Sequence, residues 1–189
     1  MISKFFVKKL TNCLKKENII ENHEEQIYSY GLNQAIFIIL NIFITLAIAF
    51  LLDKKMELLL FIIEFAILRS FSGGYHSKNP VICIFISSLI QIVAVCSLDI
   101  IYLSKKELIT FTIIISLIIA LLSPIETENK PLDSIEKEIY RHKTLVTLIV
   151  LNSISILSCF FERIIVIKIT LITVFMVLFL QGLCELNEK

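Results

Sequence analysis

Tryptophan is absent from this 189-residue chain, and glycine and proline are scarce at four and three copies. Without an indole, any aromatic belt at a membrane interface falls to tyrosines such as Tyr28, Tyr30, Tyr75, Tyr102 and Tyr140. Five cysteines, an odd number without framework spacing, argue against a disulfide scaffold and for free thiols. A net charge of +1 says nothing about nucleic acid, and no such partner is expected. No metal or other cofactor is expected either. Polar surface is the largest deficit. With 57% hydrophobic residues and a mean hydropathy of +0.85, a soluble fold of this length could not cover its core, so the bilayer is the expected solvent.

What is present is a succession of apolar runs bounded by charge, near 34–52, 56–71, 81–103, 107–125, 144–161 and 164–184. A full crossing needs roughly 20 residues. The fold class is therefore all-α, a polytopic membrane bundle of about six helices forming a single domain over 1–189. The second and fourth runs are short, and the second carries Glu64 and Arg69, so tilting, re-entry or shielding by neighbours is expected there and a four-span arrangement stays open. Residues 1–30 do not form a signal peptide, because Lys8, Lys9, Lys15 and Lys16 break the apolar stretch. Phe6, Leu10, Cys13 and Leu14 recur at helical spacing opposite lysines, which suits an amphipathic helix on an anionic leaflet; a plain topogenic basic tail is the alternative.

Lysine and arginine placement sets the orientation. An inside N-terminus puts Lys4, Lys8, Lys9, Lys15, Lys16, Arg69, Lys78, Lys130, Lys137, Arg141, Lys143 and Lys189 on the cytoplasmic side, against Lys54, Lys55, Lys105, Lys106 and Arg163 outside. The positive-inside rule then favours both termini and the loop that carries Lys78 facing the cytoplasm. Asp99 and Lys168 lie near outer span ends and can snorkel to the interface.

The chemistry concentrates in Arg69-Ser70-Phe71-Ser72-Gly73-Gly74-Tyr75-His76-Ser77-Lys78-Asn79-Pro80-Val81-Ile82-Cys83, where half of the glycines interrupt an apolar chain beside a histidine and a cysteine. Asn79 suits an N-cap and Pro80 a first helical position, which would put Cys83 in the first turn of a helix. There the helix end and a neighbouring imidazole both favour the reactive thiolate. A bend at the glycines would let His76 fold back toward Cys83, and unpaired N–H groups nearby could bind an oxyanion. The other cysteines and histidines form no local pair: Cys13 and His23 would lie roughly 15 Å apart along a helix and His142 and Cys159 about 25 Å apart, while Cys96 turns away from Cys83. A packing cysteine and a solvated histidine are the structural alternative.

The pattern R-x3-G-G-x-H-x6-C, standing here as Arg69, Gly73, Gly74, His76 and Cys83, resembles the signature of the AgrB (accessory gene regulator B) membrane endopeptidases. A second stretch similar to that family runs Ser123-Pro124-Ile125-Glu126-Thr127-Glu128-Asn129-Lys130-Pro131-Leu132, and the resemblance extends over nearly the whole chain. It implies a cysteine endopeptidase with His76 and Cys83 as catalytic dyad and a short amphipathic precursor peptide (AgrD-like) as substrate. It further implies that a cysteine or serine within the precursor attacks the acyl-thioester and closes a thiolactone or lactone, giving a quorum-sensing autoinducing peptide. The lipid bilayer is the other expected partner, with a second copy of the chain as a possible one. Arg69, Gly73, Gly74, Glu64 and Lys130 are the expected supporting or substrate-binding residues.

Glu64 is costly inside a span unless paired or functional, and Arg69, Lys168 and His76 are its candidate partners. The segment 126–143 is either merely solvated or, through Lys130, a substrate contact, with Pro124 and Pro131 fixing its course and a short surface helix expected over Ile135 to His142. Two other functional classes remain: a helical transporter or exporter component using Glu64, Arg69 and Lys168 as intramembrane sites, and a non-catalytic membrane scaffold. Both predict that Cys83→Ser is mild.

Overall fold

In a computed structural model the structure describes residues 7, 10, 11, 15, 25–74, 79–126 and 132–187, and among these the fold is all-helical. Six long helices follow one another: α1 Glu25–Leu51, α2 Lys55–Ser72, α3 Pro80–Ile100, α4 Lys105–Leu122, α5 Ser134–Phe160 and α6 Ile164–Asn187. The chain divides into two compact units, Met1–Ala47 and Ile48–Lys189, the second containing α2 to α6 whole. Most of the amphipathic start expected over 1–30 lies outside the described residues, of which 7, 10, 11 and 15 are helical.

Helix ends follow local chemistry. Asn79 accepts the Val81 N–H at 3.0 Å and Pro80 opens α3, as the sequence predicts. Ser104 and Glu107 form a reciprocal capping box at the start of α4, with the Ser104 N–H donating to Glu107 Oε2 at 2.8 Å. Asp133 and Glu136 do the same for α5. That box carries one correction. The short surface helix expected over Ile135 to His142 is the first part of α5, which starts at Ser134 and runs unbroken into the apolar span. A good cap and no glycine or proline between them give the helix no reason to stop.

Helix α6 is the axis of the second unit and packs against α2, α3, α4 and α5. Ile167, Ile169, Val174, Val177 and Leu180 are all buried on it, so it is enclosed on nearly every side, as a helix apolar all round should be. One core cluster joins Leu68, Ile119, Leu148, Leu151, Val174 and Val177 from α2, α4, α5 and α6, and a second joins Leu108, Ile167 and Leu171. The outer helices expose large apolar side chains instead, among them Phe85, Leu117 and Ile149. Such a surface is a liability in water and ordinary against lipid tails.

Helices α1, α3, α5 and α6 are long and apolar enough to cross a membrane. The remaining two, α2 and α4, have 18 residues each, about 27 Å of helix. Charge lies within or at the start of both: Glu64 and Arg69 in α2, and Lys105, Lys106 and Glu107 at the head of α4. They are shorter elements leaning on α5 and α6. At the bundle end away from Gly73, Lys54 pairs with Asp99, and Lys105 with Glu162 at 3.6 Å. Lys168 reaches the Leu98 carbonyl at 3.0 Å and lies 6.0 Å from the Tyr102 ring, so its charge leaves the apolar interior by the route expected of a snorkelling lysine.

Candidate active site

The Gly-Gly turn ends α2 through backbone conformation. Gly73 sits at φ 78° and ψ −161°, a region essentially closed to residues with a Cβ, and Gly74 follows at φ 124°. Close approach adds a second requirement at Gly73. A Cβ there would stand 2.3 Å from the carbonyl oxygen of Ile125. The reason is an isolated parallel bridge between Gly73 and Ile125, in which the Ile125 N–H donates to the Ser72 carbonyl at 3.1 Å. The exit of α4, Ser123-Pro124-Ile125, is thereby laid directly against the glycine turn. Two motifs some fifty positions apart in sequence meet at one end of the bundle.

Gln181 of α6 ties this junction from below. Its side-chain Nε2 donates to the Ser72 carbonyl at 3.1 Å and to Ser123 Oγ at 2.9 Å, so Ser72 O accepts from both Ile125 and Gln181. Ser72 and Gln181 are fully buried and Ser123 nearly so. Gly74 packs on the same segment, where an added Cβ would lie 3.5 Å from the Leu180 backbone. None of these three polar residues stands out in the motif pattern. The available signal was a lone amide inside an apolar span, where a polar side chain marks a partner or a function.

Cys83 is half-buried in the first turn of α3, its N–H donating to the Asn79 carbonyl at 3.0 Å. The Arg69 side chain, from the last turn of α2, lies within electrostatic reach of the sulfurs of both Cys83 and Cys184 and 5.7 Å from the Phe65 ring. The Arg69 guanidinium and the thiol that the sequence singles out thus share one electrostatic neighbourhood, and a positive charge there attracts a carboxylate or stabilises an anion formed nearby. Cys83, Cys96, Cys159 and Cys184 are all free thiols. Phe71, next to the turn, meets Tyr140 at 6.3 Å between ring centroids and Lys143 at 5.3 Å, which fastens the end of α2 to the start of α5.

Arg69, Gly73, Gly74 and Cys83 therefore share one end of the bundle. Glu64 does not join them: it is buried deeper in α2, where Thr170 of α6 donates to its Oε1 at 3.2 Å. Its partner is this hydroxyl in place of Arg69 or Lys168. Five positions of helix turn Glu64 and Arg69 well apart around the axis of α2, and Lys168 points to the opposite end. His76 and Lys130 fall outside the described residues. Glu126, just before Lys130, pairs with Lys137 of α5, and that bond holds its carboxyl below the ordinary carboxylate range. Among the described residues no group of histidines, cysteines and carboxylates could hold a metal ion.

Three curated relatives are similar to the chain. "Putative AgrB-like protein 2" of Clostridium perfringens (strain 13 / Type A) is 27% identical over 144 residues, covering 72% of this chain and 65% of the relative. "Putative AgrB-like protein" of Clostridium perfringens (strain SM101 / Type A) is 27% identical over 138 residues, covering 69% and 64%. "Putative AgrB-like protein" of Lactiplantibacillus plantarum (strain ATCC BAA-793 / NCIMB 8826 / WCFS1) is 25% identical over 157 residues, covering 79% and 76%. The chain spans just under two thirds of the length of the first two. No solved structure matches it. The family model described as AgrB, accessory gene regulator B, matches residues 7–181, a range that contains the glycine turn, Cys83, the α4 exit and Gln181; the chain belongs to the accessory gene regulator B family of membrane proteins.

Proposed function

We propose that this chain is a membrane cysteine endopeptidase that processes the precursor of an autoinducing peptide. The observation that carries the reading is the placement of Cys83 in the first turn of α3 within reach of the Arg69 charge, at the end of the bundle where the glycine turn opens the backbone. His76, two residues beyond Gly74, takes the thiol proton. The Cys83 sulfur attacks a peptide carbonyl of the membrane-associated precursor, forming a C–S bond as the C–N bond breaks, and His76 returns the proton to the leaving amine. The acyl part stays on Cys83 as a thioester. A cysteine or serine within the acyl part then displaces Cys83 and closes a thiolactone or lactone ring, with water as the competing nucleophile. Limited water at the membrane surface favours ring closure. Arg69 and Lys130 supply positive charge for carboxylates of the precursor, and the whole of 1–189 acts as one peptidase unit.

Intact-mass measurement of the purified chain mixed with its precursor tests this reading. The chain is expected to gain the mass of the acyl fragment, to lose it on treatment with neutral hydroxylamine, and to gain nothing in the Cys83→Ala variant. Precursor consumption without a hydroxylamine-labile adduct on Cys83 would overturn the mechanism. A chain that leaves the precursor whole but moves it across vesicles would favour the exporter reading.

The basic asymmetry of the loops supports a cytoplasmic site, where a newly made precursor with an amphipathic leader meets it laterally. In spheroplasts, a membrane-impermeant maleimide added outside is expected not to label a variant whose sole cysteine is Cys83, and to label it once the membrane is opened. Prompt labelling of sealed cells would put the site on the outer face.

A further inference from the structure

The Ser72 carbonyl can only accept hydrogen bonds, so the amide nitrogen of Gln181 must face it and Oε1 must face away. With Ser123 Oγ taking the second N–H, both donors of the amide are used between the last residue of α2 and the first residue after α4. Among the described residues Gln181 Oε1 finds no hydrogen-bond partner, and it is buried. An apolar side chain of similar length would fill the same space in a bilayer without that uncompensated acceptor. The amide is therefore a poor choice for packing alone, and what it does that no apolar residue can do is hold two chain segments at fixed separation.

We infer that Gln181 is a positioning residue of the active site, clamping the Gly73-Gly74 turn to the Ser123-Pro124-Ile125 exit and so fixing the end of α2 that precedes the reacting residues. The segment that follows Gly74 carries His76, and the one that follows Ile125 carries Lys130. One amide on α6 thus fixes the starting points of both. The Gly73–Ile125 bridge alone is a single backbone pairing with no neighbouring ladder, which leaves the crossing free to twist. The Gln181 fork adds the second and third points of attachment that define an orientation. This inference rests on the peptidase reading above, and it adds a residue from outside both sequence motifs.

Three measurements on full-length protein in detergent or liposomes test it: precursor cleavage under saturating and limiting substrate, alkylation of Cys83 by iodoacetamide, and the double-variant cycle with Ser123. Displacement of reacting groups by about 1 Å costs on the order of 100-fold in rate, so Gln181→Leu is expected to lower kcat by about that factor with KM changed less than about two-fold. At alkaline pH, where the thiol ionises without help from His76, alkylation of Cys83 by the small reagent should stay within about two-fold of the parent. Because Gln181 acts partly through Ser123, Ser123→Ala is expected to lower kcat by about ten-fold, and Gln181→Leu/Ser123→Ala to be no slower than Gln181→Leu alone. Cleavage by Gln181→Leu within about three-fold of the parent would sink the inference, as would losses that multiply in the double variant. If Gln181→Leu fails to accumulate, Ser123→Ala removes one hydroxyl with little loss of packing and decides the matter by the same kcat, KM and alkylation readings. Parental protein that forms no thioester on Cys83 would instead remove the peptidase reading, a result obtained before any Gln181 variant is compared.

Discussion

Cys83→Ala and His76→Ala are each expected to reduce precursor cleavage by at least about 1000-fold while leaving membrane insertion unchanged, because nucleophile and proton carrier act as a unit whose loss is not made up by binding alone. Cys83 is half-buried at a helix start and belongs to neither of the two core clusters described above, so alanine there is expected to leave the bundle intact. The two variants together should be no worse than either one. The remaining cysteines bound the specificity of the result. Cys96→Ala and Cys159→Ala are expected to cleave at the parental rate, as is Cys13→Ala. Cys184 is buried on α6 and within reach of Arg69, so Cys184→Ala tests whether that charge serves Cys83 alone. Cleavage by Cys184→Ala near the parental rate is expected, since Cys184 lies on an enclosed face with no access for a peptide. Residual cleavage by Cys83→Ala above about one tenth of the parental rate would mean another nucleophile, and a mild Cys83→Ser would return the transporter and scaffold readings to the front.

Gly73→Ala is the second large effect, and its origin is steric. At φ 78° and ψ −161° a Cβ costs about 1–3 kcal/mol in backbone strain alone. The same Cβ would stand 2.3 Å from the Ile125 carbonyl oxygen, a backbone atom that cannot swing aside as a side chain could. Either α2 ends differently or the α4 exit is pushed off, and in both cases the Ile125 N–H loses the Ser72 carbonyl. Cleavage is therefore expected to fall by about 100-fold or more, with expression reduced several-fold less. Gly74→Ala differs in kind. Its Cβ would make an ordinary 3.5 Å contact with the Leu180 backbone, so only the strain of φ 124° opposes it. The expected order of activity is parent, then Gly74→Ala, then Gly73→Ala. Measuring cleavage per inserted molecule for the three checks it, and a Gly73→Ala variant as active as Gly74→Ala would show that the Ile125 crossing is dispensable.

Arg69 occupies a third position between chemistry and architecture. Its charge reaches two sulfurs while its plane lies near Phe65, an arrangement a lysine ammonium cannot reproduce with one point charge. Glu64, five residues earlier, belongs to a different region, where the Thr170 hydroxyl meets it deep in the bundle. The sequence presents these two ionisable residues as a natural pair, and helix geometry separates them.

The sequence by itself determined the solvent and the elements. Apolar runs of near-membrane length, broken by charges and by very few glycines and prolines, specify helices because in lipid each backbone polar group must be satisfied within its own segment. The start of α3 was equally legible, since an Asn-Pro step is a local signal that needs no neighbours. So was the need for glycine at the turn, and the residues from Arg69 to Cys83 carry the resemblance to the family that the match over residues 7–181 shows. The extent of α5 was less legible: its first ten residues are mostly polar, and hydropathy marks only the part that meets lipid, whereas the Asp133 cap and unbroken helix propensity carry the helix through both parts. Only the tertiary structure decided which segments meet. The Gly73–Ile125 crossing, the Gln181 fork onto Ser72 and Ser123, and the Arg69 charge within electrostatic reach of Cys83 join residues of α2, α3 and α6 and of the α4 exit. No spacing rule predicts them, because separation along the chain says nothing of separation across a helix bundle. Packing around α6 sets that separation, through the shapes of buried side chains on four neighbouring helices at once.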